Sequence, residues 1–230
     1  MGNKCNPKLG QRVRQHLVSL GLETDTPAGS DTTMAYIHMQ EGVRGFLNAM
    51  NLLPDPSRND TPERVADMFV NDLCWGLDYN RFPKCTTTPN GRTDYEYMQG
   101  DRTIGAYDQM VRVCKIQTIS LCEHHFQTIY GWTHIAYIPG SEVLGLSKFA
   151  RVTEFFARRP QIQERMTEQI FAALCYILKT DDIAVVQDCE HFCMKARGAM
   201  QADARTETNK MGGKFMTNPA LRAEFLHGIR

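Results

Sequence analysis

Apolar residues recur at three- and four-residue spacing through the first third of the chain, then switch to near-alternation from about residue 111. Val13, Leu17 and Leu20 form a helical stripe that Gly21 ends. A second periodic stretch runs from about Thr33 to Leu52, with Ile37, Phe46, Leu47 and Met50 as its apolar face, and Pro54 and Pro56 close it. In the third helix Thr61 caps, Pro62 takes the first helical position, and Val65, Phe69 and Leu73 recur every fourth residue. Residues 82–101 are polar and turn-rich, with Pro89-Asn90-Gly91 as the sharpest bend, and read as a connector or hairpin.

From Val111 to Ile119 the residues are β-branched and alternate, and Thr128–Ile138 repeats the pattern with a turn expected near Gly131. Gly145-Leu-Ser introduces a helix carrying Phe149, Val152 and Phe156, which Pro160 breaks. A second helix follows, with Ile162, Met166, Ile170, Leu174 and Ile177 on one face. Ile183–Val186 opens a strand expected to continue through Arg197. Asn218 then caps a last helix, with Leu221, Phe225 and Ile229 along one side. Two strands, two helices and more strand suit an α+β layer, an antiparallel sheet with paired helices on one face. The expected division is an N-terminal helical region with its connector at 1–105 and a second domain at 106–230.

With 230 residues the chain can bury roughly 70% of the surface its unfolded form exposes. It needs neither disulfides nor metal to fold, so a metal site implies a task. A formal net charge of zero argues against nucleic-acid binding by bulk charge, though not against a local basic pocket. No run reaches the roughly 18 apolar residues of a membrane span. The opening Met1–Asn6 lacks an apolar signal core, so a cytoplasmic protein with free thiols is expected.

The densest polar cluster is Ser120-Leu-Cys122-Glu123-His124-His125. Its Cys-x-x-His spacing lets one turn aim a thiolate and an imidazole at a single cation, although a hydrogen-bonded histidine cluster reads the same way. If the strand from Cys189 stays regular, Cys189, His191, Cys193, Lys195 and Arg197 share one face. Such a row offers soft metal ligands beside anion-binding groups; a solvated edge explains Lys195 and Arg197 but not Cys193. Cys122, His125 and Cys193 make three protein ligands and leave a fourth position open, as catalytic zinc sites do. Cys189 is a possible fourth donor, and filling that position makes the site structural. Arg64 and Lys148 lie in first helical turns, where cations are disfavoured unless an anion binds there too. With Arg151 and Arg197 they suggest a phosphate pocket. Gln163-Glu164 opens the second helix of the pair, where a first-turn carboxylate is unremarkable.

The blocks Cys-Glu-His-His-Phe, His-Ile-Ala-Tyr-Ile-Pro, Gly-Leu-Ser-Lys, Arg-Arg-Pro-Gln-Ile-Gln-Glu-Arg and Glu-His-Phe-Cys-Met-Lys-Ala-Arg-Gly resemble GTP cyclohydrolase I. The likeness runs from about Thr61 to Arg230, with every block in the family's order. It implies a tunnelling fold in a toroidal homodecamer with sites between subunits, and conversion of GTP and water to formate and 7,8-dihydroneopterin triphosphate. It further implies Zn2+ on Cys122, His125 and Cys193, with Cys189 outside the ligand set. Glu164 with Gln163 grips the guanine. Arg64, Ser147, Lys148, Arg151 and Arg197 line the triphosphate site, and His124 and His191 carry protons. Ser147 also assists the ribose rearrangement. Bacterial members of the family often carry lysine three residues beyond the Arg64 position, where this chain has Asp67. Rival readings are a zinc nucleoside deaminase, whose His-x-Glu and Pro-Cys-x-x-Cys motifs are missing here, a zinc-stabilised module without catalysis, and a triphosphate-binding protein without turnover.

Overall fold

A computed structural model describes residues 4–24, 32–91 and 106–229. Its centre is a five-stranded sheet in the order β5-β2-β3-β6-β7, where β2 is Val111–Cys122, β3 Thr128–Tyr137, β5 Pro160–Gln161, β6 Ile183–His191 and β7 Thr206–Met211. Every pairing is antiparallel except the short parallel contact of β5 with β2. The sheet's pleat sorts side chains in the period of two that strands impose. Ile135, Tyr137, Ile183 and Val185 face a core shared with helices α4 (Ser147–Ala157) and α5 (Gln163–Leu178). Their neighbours Ala136, Ala184 and Val186 face the opposite side, where Phe215 of α7 (Gly213–Thr217) and Phe225 of α8 (Pro219–His227) seal them. The architecture is α+β, with α4 and α5 together on one face as expected.

Helix α1 (Pro7–Ser19) adds Leu9, Val13 and Leu17 to the larger core, whereas Leu20 caps the helix and is exposed. Asn6 supplies the N-cap, its Oδ1 accepting from the Leu9 amide at 3.1 Å. Helix α2 (Thr32–Ala49) departs from the expected burial. Of its apolar face only Leu47 is buried, while Ile37, Phe46 and Met50 stand exposed. Periodicity marks an amphipathic face without saying what covers it.

Helix α3 (Thr61–Asp67) begins one residue earlier than a Thr61 cap requires: Asp60 is the N-cap, Thr61 the first helical residue and Pro62 the second. The helix then widens into a π-helical turn over Met68–Leu73, closed by the Cys74 amide on the Phe69 carbonyl at 2.8 Å. Among the described residues, the connector's first half pairs at long range rather than locally. Strand β1 (Thr87–Pro89) pairs with the distant β4 (Glu142–Leu144), and Asn90 donates to the carbonyls of Tyr107 and Gly140, each at 2.8 Å. Residues 92–105, which include the whole second half of the connector, lie outside the described residues.

Two expectations about the strands need correction. Gly131 is no turn: it lies inside β3, opposite Thr118 on β2 and Cys189 on β6. A Cβ there would stand 2.2 Å from the Asp188 carbonyl oxygen and 2.6 Å from Cys189 Cα. Glycine serves close strand approach at this position, not a reversal. Gly131→Ala therefore forces backbone apart in the middle of the sheet, at a cost of about 1–3 kcal/mol or more. A lowered thermal midpoint checks this, and an unchanged midpoint refutes the close approach. The second correction concerns β6, which stops at His191. Its ladder with β7 ends at Cys189–Thr206 and its ladder with β3 ends at Ile129–His191. With no strand left on either side, the backbone satisfies itself in the helical turn α6 (Phe192–Lys195), where the Ala196 amide donates to the Phe192 carbonyl at 2.9 Å.

Candidate metal centre

Cys122 is the last residue of β2, one residue beyond the parallel contact of Leu121 with Pro160 and itself opposite Gln161. The chain reverses at once: the Phe126 amide donates to the Cys122 carbonyl at 2.9 Å, and the Cys122 amide to the Gln127 carbonyl at 2.8 Å. This tight turn presents His124 and His125 beside the strand end. Cys193 arrives from α6, so the row of alternate residues expected through Arg197 does not form. The helical turn still delivers the thiol to the same place. One ligand atom each from Cys122, His125 and Cys193 lies within 4.8 Å of the others.

The donor set fits a metal ion. Zn–S bonds of about 2.3 Å and Zn–N bonds of about 2.0 Å place tetrahedral donors roughly 3.5–3.8 Å apart, a small contraction from these separations. Two soft thiols with an imidazole select a zinc-like cation over magnesium or calcium. Burial pushes the Cys193 thiol above its ordinary range, and the neighbouring Cys122 thiol adds to the rise. Cys189 is not in this set. It is buried on β6 beside Cys122 and Ile129, and its thiol is pushed up to about 12, first by burial. Cys189 therefore supplies no fourth donor.

Around the three ligands the chain assembles a polar wall. His124 Nδ1 stands 3.8 Å from Cys122 Sγ. His191 Nε2 is 2.8 Å from Gln163 Oε1. Burial lowers the His191 pKa, and the Glu164 carboxylate works against that fall. Arg197 lies close enough to Cys193 to stabilise its thiolate. The first turn of α5 reaches both sides of the centre. Gln163 holds His191, while Arg165 pairs with Glu123 in the metal turn and also donates to Gln161 Oε1 at 3.0 Å. On the far side, Lys195 and Arg205 both pair with Glu190 at 2.8 Å, and Arg205 pairs with Asp188 as well. These ion pairs brace α6 against the end of β6.

Four residues expected at the site have their recorded partners elsewhere. Arg64 is exposed on α3 and pairs loosely with Asp60 at 3.5 Å. Ser147, Lys148 and Arg151 occupy the start of α4, and Lys148 and Arg151 favour the thiolate of Cys85, although burial holds that thiol at about 11. Among the described residues, none of their hydrogen bonds or ion pairs reaches the Cys–His–Cys centre. The Asp67 carboxylate accepts from Asn71 Nδ2 at 2.8 Å. Sequence reasoning missed Arg165, Thr167, Gln187 and Thr208. Their signal was polarity at positions that helix and strand patterns mark as inward-facing: Thr167 beside Met166 and Ile170, and Gln187 after Ile183-Ala-Val-Val.

The model of the GTP cyclohydrolase I family matches residues 39–230. "GTP cyclohydrolase 1" of Shewanella amazonensis is 43% identical over 222 residues, spanning 96% of this chain and 97% of that protein. The protein of the same name from Vibrio cholerae serotype O1 is 44% identical over 225 residues, spanning 95% of each. The likeness thus reaches well into the N-terminal helices, beyond the motifs that first suggested it. An apo archaeosine synthase QueF-like structure is similar over 45% of this chain and 94% of its own, with 15% identity and a TM-score of 0.36. A family match over most of the length, together with relatives at this identity, establishes that the chain belongs to the GTP cyclohydrolase I family.

Proposed function

We propose that this chain converts GTP and water into formate and 7,8-dihydroneopterin triphosphate. The observation that carries the reading is the convergence of Cys122, His125 and Cys193, from two separate segments, in a chain of this family. Zinc held by these three side chains supplies Lewis acidity that brings the pKa of water to about 7. The other residues bind, orient and move protons. Glu164 and Gln163 hold the guanine. His191 delivers a proton to N7 as the bond to C8 opens, and a second hydrolysis releases C8 as formate. His124 and Ser147 assist rearrangement of the ribose before the new ring closes.

Arg64, Lys148, Arg151 and Arg197 neutralise the triphosphate. Among the described residues of one subunit, Arg64 and the start of α4 make no hydrogen bond or ion pair to the two thiols or His125. The absence of such bonds supports a site shared between subunits of a tunnelling-fold homodecamer, each subunit comprising the helical region 1–105 and the catalytic domain 106–230. Among the described residues, no helix is long and apolar enough to cross a membrane. We place the enzyme in the cytoplasm.

Incubating the zinc-loaded protein with GTP, followed by oxidation and dephosphorylation, should yield a fluorescent pterin and one formate per GTP. GTP binding without formate points to a triphosphate-binding protein. Stoichiometric zinc without turnover points to a structural module.

A further inference from the structure

Behind His191 lies a run of polar side chains enclosed between α5 and the sheet. Gln163, Thr167, Gln187, Thr133 and Thr118 are all buried. Their hydrogen bonds have a direction that the backbone fixes at both ends. Gln163 Nε2 donates to the carbonyl oxygens of Thr206 (2.9 Å) and Gln187 (3.2 Å), and to Thr208 Oγ1 (3.1 Å). Carbonyl oxygens only accept, so the amide nitrogen must face them and Oε1 must face His191. At the other end Thr118 Oγ1 donates to the Ile116 carbonyl at 3.3 Å.

Each hydroxyl has one hydrogen, and the remaining links follow from that. Thr118 accepts from Thr133 at 2.6 Å, and Thr133 accepts from Gln187 Nε2 at 2.9 Å. Gln187 Oε1 accepts from Thr167 Oγ1 at 2.7 Å, and Thr167 accepts from Thr208 at 2.7 Å. The Thr167 hydroxyl shares its one hydrogen between Gln187 Oε1 and the Gln163 carbonyl oxygen at 2.9 Å, and the other members each donate and accept in one sense.

From this geometry we infer that Gln163 sets the tautomer of His191, and that Thr208, Thr167 and Gln187 are positioning residues that keep the Gln163 amide from flipping. Gln163 Oε1 can only accept at 2.8 Å, so His191 Nε2 carries a hydrogen in both the neutral and the charged ring. Nδ1 is left as the ring nitrogen without the Gln163 bond. A glutamine that only grips a base has no need of this anchoring. A flipped amide would set an NH2 group against Nε2 and favour the opposite tautomer.

The inference rests on His191 as a proton carrier, yet its test does not depend on turnover. In the substrate-free, zinc-loaded enzyme with 15N-labelled histidine, the neutral His191 ring should show Nε2 protonated and Nδ1 bare. In Gln163→Met that preference should be lost. Thr167→Val should weaken it and lower kcat by roughly 10-fold with KM for GTP within about twofold, while Thr167→Ser restores both. A wild-type ring protonated at Nδ1 overturns the inference, as does an unchanged tautomer in Gln163→Met or Thr167→Val. The wild-type spectrum decides even if a variant fails to fold. If the wild-type enzyme gives no pterin from GTP, the proposed function falls instead, and the tautomer result stands on its own.

Discussion

Replacing Cys193 by serine should lower pterin and formate release by at least about 10³-fold while leaving the fold in place. In the proposed site the thiolate is one of three protein donors, and serine offers a neutral, hard oxygen that would bind zinc far more weakly. Loss of the ion removes the activation that brings water from a pKa of 15.7 to about 7, a barrier change of several kcal/mol. Stability should move little. Cys193 is half-buried on the four-residue helix α6, outside both large apolar clusters, and substitutions at such positions usually cost under about 1 kcal/mol. Zinc affinity, measured by competition with a chromogenic chelator, should fall in parallel with turnover. Undiminished formate release at normal zinc content refutes the role assigned to Cys193.

Arg159→Ala should have the largest effect on stability. The guanidinium is 3% exposed and pairs with Glu23 Oε2 at 2.8 Å. It also donates to the Gly76 carbonyl and sits 4.9–5.3 Å from the ring centres of Phe155, Phe156 and Tyr79. Its Nε alone has no hydrogen-bond partner among the described residues. Truncation leaves the Glu23 carboxylate, itself mostly enclosed, with the neutral donors Tyr79 hydroxyl at 2.7 Å and Thr24 amide at 3.1 Å and no cation. Removing one member of a buried ion pair costs about 3–5 kcal/mol, which for a chain of this length lowers the thermal midpoint by roughly 6–20 °C. Adding Glu23→Gln should recover part of the loss, because the orphaned charge goes with it. A midpoint within about 2 °C of wild type for Arg159→Ala alone would show that water reaches the pair.

Much of the sheet was legible because burial of one face writes itself into alternation and burial of both into a continuous apolar run. Val111–Ile119 and Ile183–Val186 read as strands for that reason, and the paired helices announced themselves through Phe149, Val152, Met166 and Ile170. What failed was non-local. The end of β6 is set by where β3 and β7 run out of partners, and no residue between Cys189 and Arg197 carries that information. Gly131 looked like a turn because its close approach to Asp188 and Cys189 comes from a strand more than fifty residues away. At the site, the Cys122–His125 turn was visible because both donors lie within four residues. The Thr208–Thr167–Gln187 chain was not, because its members come from three elements and signal only by being polar where apolar residues belong.

Two side chains two positions apart on α5, Gln163 and Arg165, hold opposite banks of the metal centre. The histidine arriving from one strand and the loop leaving another are thereby geared to a single rod sixteen residues long. A shift of that helix's first turn therefore displaces both banks together, since each is bonded to it directly.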